Sequence, residues 1–70
     1  MKIKLKLKEI LEQREMTTYQ LSKVTGIKIP TLENWTNERS LPRLDSLVKL
    51  AFVLGIEVTD LYEVLNYEIE

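Results

Sequence analysis

Residues 17 to 35, TTYQLSKVTGIKIPTLENW, constrain this chain more than any other stretch. Thr17 reads as a helix N-cap, because a hydroxyl there accepts from an otherwise unpaired first-turn N–H. Leu21 and Val24, three apart, predict an inward face. Gly26 follows as a stop, since glycine enters left-handed backbone without a Cβ penalty. Near Ile29 a new helix begins, and Pro30 fits its first turn, where a missing N–H costs no hydrogen bond. Leu32 and Trp35 face in. Two helices, about 18–25 and 29–37, therefore meet across a tight turn and share a core of Leu21, Val24, Ile27, Leu32 and Trp35. The spacing of Trp35 from Leu32 predicts a buried ring rather than one free to stack.

The rest of the chain keeps helical spacing with short elements. Leu7, Ile10 and Leu11 fall on one face of a helix over about 6–14, which REMT should end. NERSLP is a polar loop. Leu44, Leu47, Leu50, Ala51 and Leu54 form an i, i+3, i+4 stripe over 43–54, closed by Gly55. DLYEVL, with Leu61, Tyr62 and Leu65 apolar, predicts a fifth helix over 59–65. The expected fold is all-α: one domain over 1–70, a bundle of five short helices.

Composition then removes whole classes of chemistry. The chain has neither cysteine nor histidine, so disulfides, most zinc sites, Cys–His nucleophiles and Ser–His triads are excluded. Ser22, Ser40 and Ser46 have no evident base. A core fit for 70 residues leaves little room for a substrate pocket of roughly 300 Å³ or more. The expectation is a non-enzyme with no cofactor, no metal and no small-molecule ligand. Lysine at every second position breaks any secretory apolar run near the start, and no stretch approaches the ~18 apolar residues of a membrane helix. A cytoplasmic protein is expected.

The net charge of −1 conceals an asymmetry. Residues 1 to 8 carry four lysines and no acid, 57 to 70 carry five acids and no base, and the middle carries six of each.

A tight pair of helices with a shared core fits a helix-turn-helix, which presents its second helix to the DNA major groove, and equally an ordinary helical hairpin. The residues around it favour the former. The chain resembles the Cro/repressor-type (XRE-family) helix-turn-helix proteins, whose domains have the lambda-repressor-like fold. Matching positions run from Leu7 and Ile10 through Thr17, Leu21, Gly26, Ile27, Thr31, Leu32, Trp35 and Pro42 to Leu44, Leu47, Lys49, Leu50, Ala51, Leu54, Gly55, Ile56, Val58, Leu61 and Tyr62. The resemblance spans roughly 5 to 65. It implies sequence-specific binding of duplex DNA, commonly by a homodimer and commonly as a transcriptional repressor. Departures stand at Glu15 and Glu38, where the family often has Gly, at Ser22, where it has Ala, at Thr18, where it has Gln, and at Lys28, where it has a Ser cap. Glu15 should either adopt the left-handed backbone at a cost or shift the turn. Ser22 should bond back to a carbonyl one turn earlier.

Carried onto this chain, the base-reading positions are Lys28, Ile29, Pro30, Thr31, Glu33 and Asn34. Asn34 is the best of them, since an amide can pair twice with adenine. Ile29 and Pro30, expected to be exposed, suit a thymine methyl, and Glu33 limits non-specific binding. Phosphate contacts fall to Thr18, Tyr19, Lys23, Asn37, Arg39 and Arg43, with Lys28 able to serve both roles. Lys23, Lys28, Arg39 and Arg43 face only Glu33 and Glu38, so one subunit neutralises few phosphates and a dimer is expected to bind a two-fold-related site. The competing reading is an antitoxin or protein-interaction module with the same fold and secondary DNA binding.

The opening MKIKLKLK alternates at period two, which suits neither a helix nor a membrane-surface segment. It reads as a basic arm for DNA or, preferably, as a strand over 2–5. NYEIE alternates too, so a strand over 67–70 should pair with it antiparallel, within one chain or exchanged between two. Lys2, Lys4 and Lys6 would then meet Glu68 and Glu70, with Ile3 and Leu5 facing the helices.

Overall fold

A computed structural model describes residues 2–67. The order is β1 (Lys2–Leu5), α1 (Leu7–Gln13), α2 (Thr18–Thr25), α3 (Ile29–Thr36), α4 (Leu44–Leu54), a 3-10 turn at Val58–Asp60, and β2 (Tyr62–Asn66). Each helix, and the turn before β2, contributes one wholly buried leucine: Leu7, Leu21, Leu32, Leu50 and Leu61. Full burial of such a side chain stabilises by about 1.5–3 kcal/mol. Trp35, Leu5, Leu11, Ala51 and Leu54 complete the core, with Ile27 and Leu47 packed against it.

The described residues contain four α-helices, not five. Over 59–65 the expected helix gives way to the 3-10 turn and β2. Tyr62 and Val64 face the domain, while Glu63 and Leu65 point outward. Aromatic and β-branched residues at every second position suit a half-buried strand. The main chain of β1 also needs a partner, and β2 supplies it. The pairing is antiparallel and within one chain: Lys2 opposite Asn66, Ile3 opposite Val64, Lys4 opposite Glu63, Leu5 opposite Tyr62. A bulge between Lys2 and Ile3 leaves Leu65 as the extra residue, about half exposed. The terminal pairing is thus present, with 62–66 as the partner of β1. Of the strand expected over 67–70, Tyr67 lies beyond β2 and exposed, and 68–70 fall outside the described residues, as do the acids expected to meet the lysines. Lys4 instead pairs with Glu9 at 3.4 Å.

Three side chains expected inside are exposed: Val24 is 61% exposed, Leu44 72% and Ile3, near the open end of β1, 40%. In α2 the inward row is Leu21 and Thr25, four apart, and Val24 falls on its flank. In α4 Leu44 stands on the first turn, ahead of the core-facing Leu50, Ala51 and Leu54.

Helix ends share one device. After α1, the Met16 N–H donates to the Leu11 carbonyl (2.9 Å) and the Glu15 N–H to the Glu12 carbonyl (3.1 Å). After α3, Arg39 bonds to Asn34 (2.8 Å) and Glu38 to Trp35 (3.1 Å) in the same way; after α4, Ile56 bonds to Ala51 and Gly55 to Phe52. These are Schellman closures, which need one left-handed residue. Gly55 has φ +68°, but the other two positions are Glu15 (φ +52°) and Glu38 (φ +58°). Glu15 therefore takes the left-handed backbone rather than shifting the turn.

Candidate nucleic-acid interface

The two helices at the centre of the chain are fixed to each other by side chains of α2. Its start carries a reciprocal cap: the Thr17 hydroxyl accepts from the Gln20 N–H (3.1 Å), and the Gln20 side-chain oxygen accepts from the Thr17 N–H (2.9 Å). At its end, Gly26 (φ +76°) donates to the Ser22 carbonyl at 2.8 Å. The buried Thr25 hydroxyl donates to the Leu21 carbonyl (2.8 Å) and accepts from the Ile27 N–H (3.1 Å). The Ser22 hydroxyl donates forward to the Ile27 carbonyl (2.5 Å), not back along the helix as expected. Both polar groups of the turn residue Ile27 are therefore held by α2. A backbone group so satisfied costs little to bury, and the turn carries α3 at a set angle.

Thr25 is the residue that sequence reasoning missed. Its signal was available: a threonine one helical turn after Leu21 and beside a stop glycine can bond both ways.

α3 buries Leu32 and Trp35 and turns the opposite side outward. Lys28, Pro30, Glu33, Asn34 and Asn37 are exposed, while Ile29 and Thr31, both expected to be exposed, are half-buried. Lys28 is the N-cap residue but makes no side-chain cap hydrogen bond. One polar pair crosses the closure after α3: an Arg39 guanidinium nitrogen donates to the Asn34 side-chain oxygen at 3.4 Å. Arg39 is thus tied to Asn34 through main chain and side chain together. The Asn34 oxygen keeps a second lone pair and the amide nitrogen both its protons, so two-point pairing with a base edge stays open.

The phosphate candidates divide in two. Thr18, Tyr19 and Lys23 lie on α2, with the Lys23 ammonium 5.1 Å from the Tyr19 ring centroid. Such an exposed cation–π contact contributes about 0.5–1 kcal/mol. Asn37 and Arg39 lie at the end of α3. Arg43 stands before α4, 3.8 Å from Asp45, with both side chains more than 70% exposed. A pair so open to water restrains Arg43 only weakly.

Among the described residues no group of three or more acidic side chains is placed to hold a metal ion, and no helix is long and apolar enough to cross a membrane.

Comparison with known proteins follows this geometry. No curated protein matches the chain. Among solved structures, the chain is similar to a candidate DNA-binding protein from Bacteroides fragilis, known by crystallography. The two share 27% identity and superpose with a TM-score of 0.82, over 89% of this chain and 100% of that one. The model of the Cro/C1-type helix-turn-helix DNA-binding domain matches residues 6–65, a span that runs from the start of α1 into β2. The chain therefore belongs to the Cro/C1-type helix-turn-helix DNA-binding domain family.

Proposed function

We propose that this protein is a cytoplasmic transcriptional repressor that reads the DNA major groove with α3 and binds a two-fold-related site as a homodimer. The observation that carries this reading is the outward side of α3. It is polar and open at Lys28, Glu33 and Asn34, on a helix whose angle is held by Ser22, Thr25 and Gly26. Rigid presentation matters because a base contact is worth about 1–3 kcal/mol only when its geometry is met.

Asn34 is the proposed adenine reader, with Arg39 holding its amide. Ile29, Pro30 and Thr31 offer apolar contact to thymine, Lys28 reaches a guanine edge or a phosphate, and Glu33 suppresses binding at unrelated sequences. Thr18, Tyr19, Lys23, Asn37, Arg39 and Arg43 position the domain on phosphates. Four cations against Glu33, Glu38 and the Asp45 that stands beside Arg43 make one subunit a weak binder, which is the reason for a dimer.

Selection of bound duplexes from a random library tests the reading. A two-part operator with two-fold symmetry is expected. Recovery of no preferred sequence at low salt would remove sequence-specific recognition and favour the protein-interaction alternative.

A further inference from the structure

α4 carries a row of exposed apolar side chains at every fourth position: Leu44, Val48 and Phe52, which are 72%, 51% and 85% exposed. Phe52 is the most exposed large hydrophobic residue described. With an aromatic side chain taken as about 150–250 Å², it alone leaves roughly 130–210 Å² in water. The row does not end in solvent. At its Leu44 end lies an apolar groove of about 420 Å³, lined among others by Ile3, Leu41, Leu47, Tyr62 and Val64. One helix face thus bears a projecting ring at one end and a recess at the other. At 1.5 Å rise per residue the two lie about 12 Å apart along the axis, with Val48 midway.

We infer that this face binds a second copy of the same chain, with the two α4 helices antiparallel and the two-fold axis at Val48. The reading rests on the proposed homodimer and assigns its interface. A two-fold axis there carries Phe52 of each copy to the Leu44 end of the other, where the groove receives it. Knob and hole on one surface, equidistant from a midpoint, are the condition for a closed, self-complementary contact. Side chains at i, i+4 and i+8 form the ridge that packs against its own kind at a crossing of about 50°, the commonest helix-pair class.

Charge fits the same axis. Asp45 and Lys49 share one flank of α4, one turn apart, and both are exposed. Reversal of the helix about this axis keeps that flank on one side of the contact and sets each Asp45 beside Lys49 of the second copy. Asp45 is held at home only by the exposed Arg43 contact at 3.8 Å and by the Ser46 N–H. A stable contact removes about 800 Å² per partner from water, a modest part of the 5223 Å² surface. The α4 row, Leu41, Ile3 and the groove walls are already apolar and lie together.

Sedimentation equilibrium of the full chain decides the matter. The wild type should be a dimer. Phe52→Glu should raise its dissociation constant roughly 30-fold or more, the equivalent of a hot-spot loss of ~2 kcal/mol, while helical circular dichroism and the thermal midpoint of the monomer stay unchanged. Asp45→Lys and Lys49→Asp should each weaken the dimer, and the two together should restore it. Because the chain has no cysteine, Val48→Cys gives an independent readout. Air oxidation should cross-link it to a covalent dimer while Lys8→Cys, outside the interface, forms no covalent dimer. A dimer that Phe52→Glu leaves intact, or failure of Val48→Cys to cross-link, overturns this interface and leaves the homodimer standing. A wild type that is monomeric both free and on its selected operator overturns both.

Discussion

Replacing Glu15 or Glu38 with glycine should stabilise this protein, although each change deletes a side chain. Both residues sit at left-handed backbone positions, with φ of +52° and +58°. An L-residue there costs about 1–2 kcal/mol through its Cβ. Glycine avoids that cost but brings about 0.5–1 kcal/mol of extra chain entropy to be lost on folding. The net is a gain of roughly 0.5 kcal/mol per site by these two magnitudes. Each carboxylate also stands at a helix C-terminus, where the helix dipole disfavours negative charge by a few tenths of a kcal/mol, which adds to the gain. The two sites close different helices, so the effects should add to about 1 kcal/mol. That corresponds to a rise in Tm of about 4–8 °C for a domain of this size. Thermal and urea unfolding, followed by circular dichroism and Trp35 fluorescence, provides the assay. Glu15→Ala and Glu38→Ala separate the two causes, because alanine removes the charge and keeps the Cβ. The reverse substitutions complete the test: at Gly26 and Gly55 an added Cβ meets nothing within 4 Å, so Gly26→Ala and Gly55→Ala should lose roughly 0.5 kcal/mol, the left-handed Cβ cost less the chain entropy that alanine saves. Glycine variants that destabilise, or alanine variants that gain as much as glycine, would refute the account of the closures.

Other substitutions probe the hinge and the outward face of α3. Thr25→Val keeps the shape and leaves the Leu21 carbonyl its helical partner, but strands the Ile27 N–H, and should cost about 1–3 kcal/mol in urea unfolding. Thr17→Ala removes one half of the α2 cap and should cost about 0.5–2 kcal/mol in the same assay. Asn34→Ala should weaken binding to the selected operator by about 1–3 kcal/mol in fluorescence anisotropy and relax preference at one base pair. Arg39→Ala should weaken binding to all duplexes, reduce the slope of log K against log salt by about one, and relax preference at the base pair that Asn34 reads, because it frees the Asn34 amide. An unchanged base preference would show that the bond to Asn34 does not matter for reading.

Much of the helical framework was legible because α2 and α3 have start signals, α2 and α4 have stop glycines, and apolar residues recur at helical spacing in every helix. Thr17, Gly26, Pro30 and Gly55 mark boundaries that the structure keeps within a residue or two. The left-handed stress at Glu15 was legible too, since a closure of that shape needs positive φ whatever residue stands there. The fifth helix was misread for a definite reason. Over Tyr62–Asn66, apolar positions at 62, 64 and 65 satisfy both a helical and an alternating pattern, and only the presence of β1 across from them decides between the two. Val24 and Leu44 were misplaced because a periodic row says which residues share a face, not which face meets the core. Ser22 bonding forward and Arg39 reaching Asn34 depend on backbone angles after a glycine and after Glu38, which local pattern does not carry.

The pairing of β1 with β2 sets Lys2 directly across from Asn66. Among the described residues the first and last strands therefore meet at a single seam. A short glycine–serine bridge across that seam would allow the ends to be moved elsewhere, and the polar loop before Pro42 is the natural place for new ones. In such a permuted chain β1 and β2 become a local hairpin instead of the longest-range contact in the molecule. Folding should then be faster, since the largest loop-closure cost is removed before folding begins.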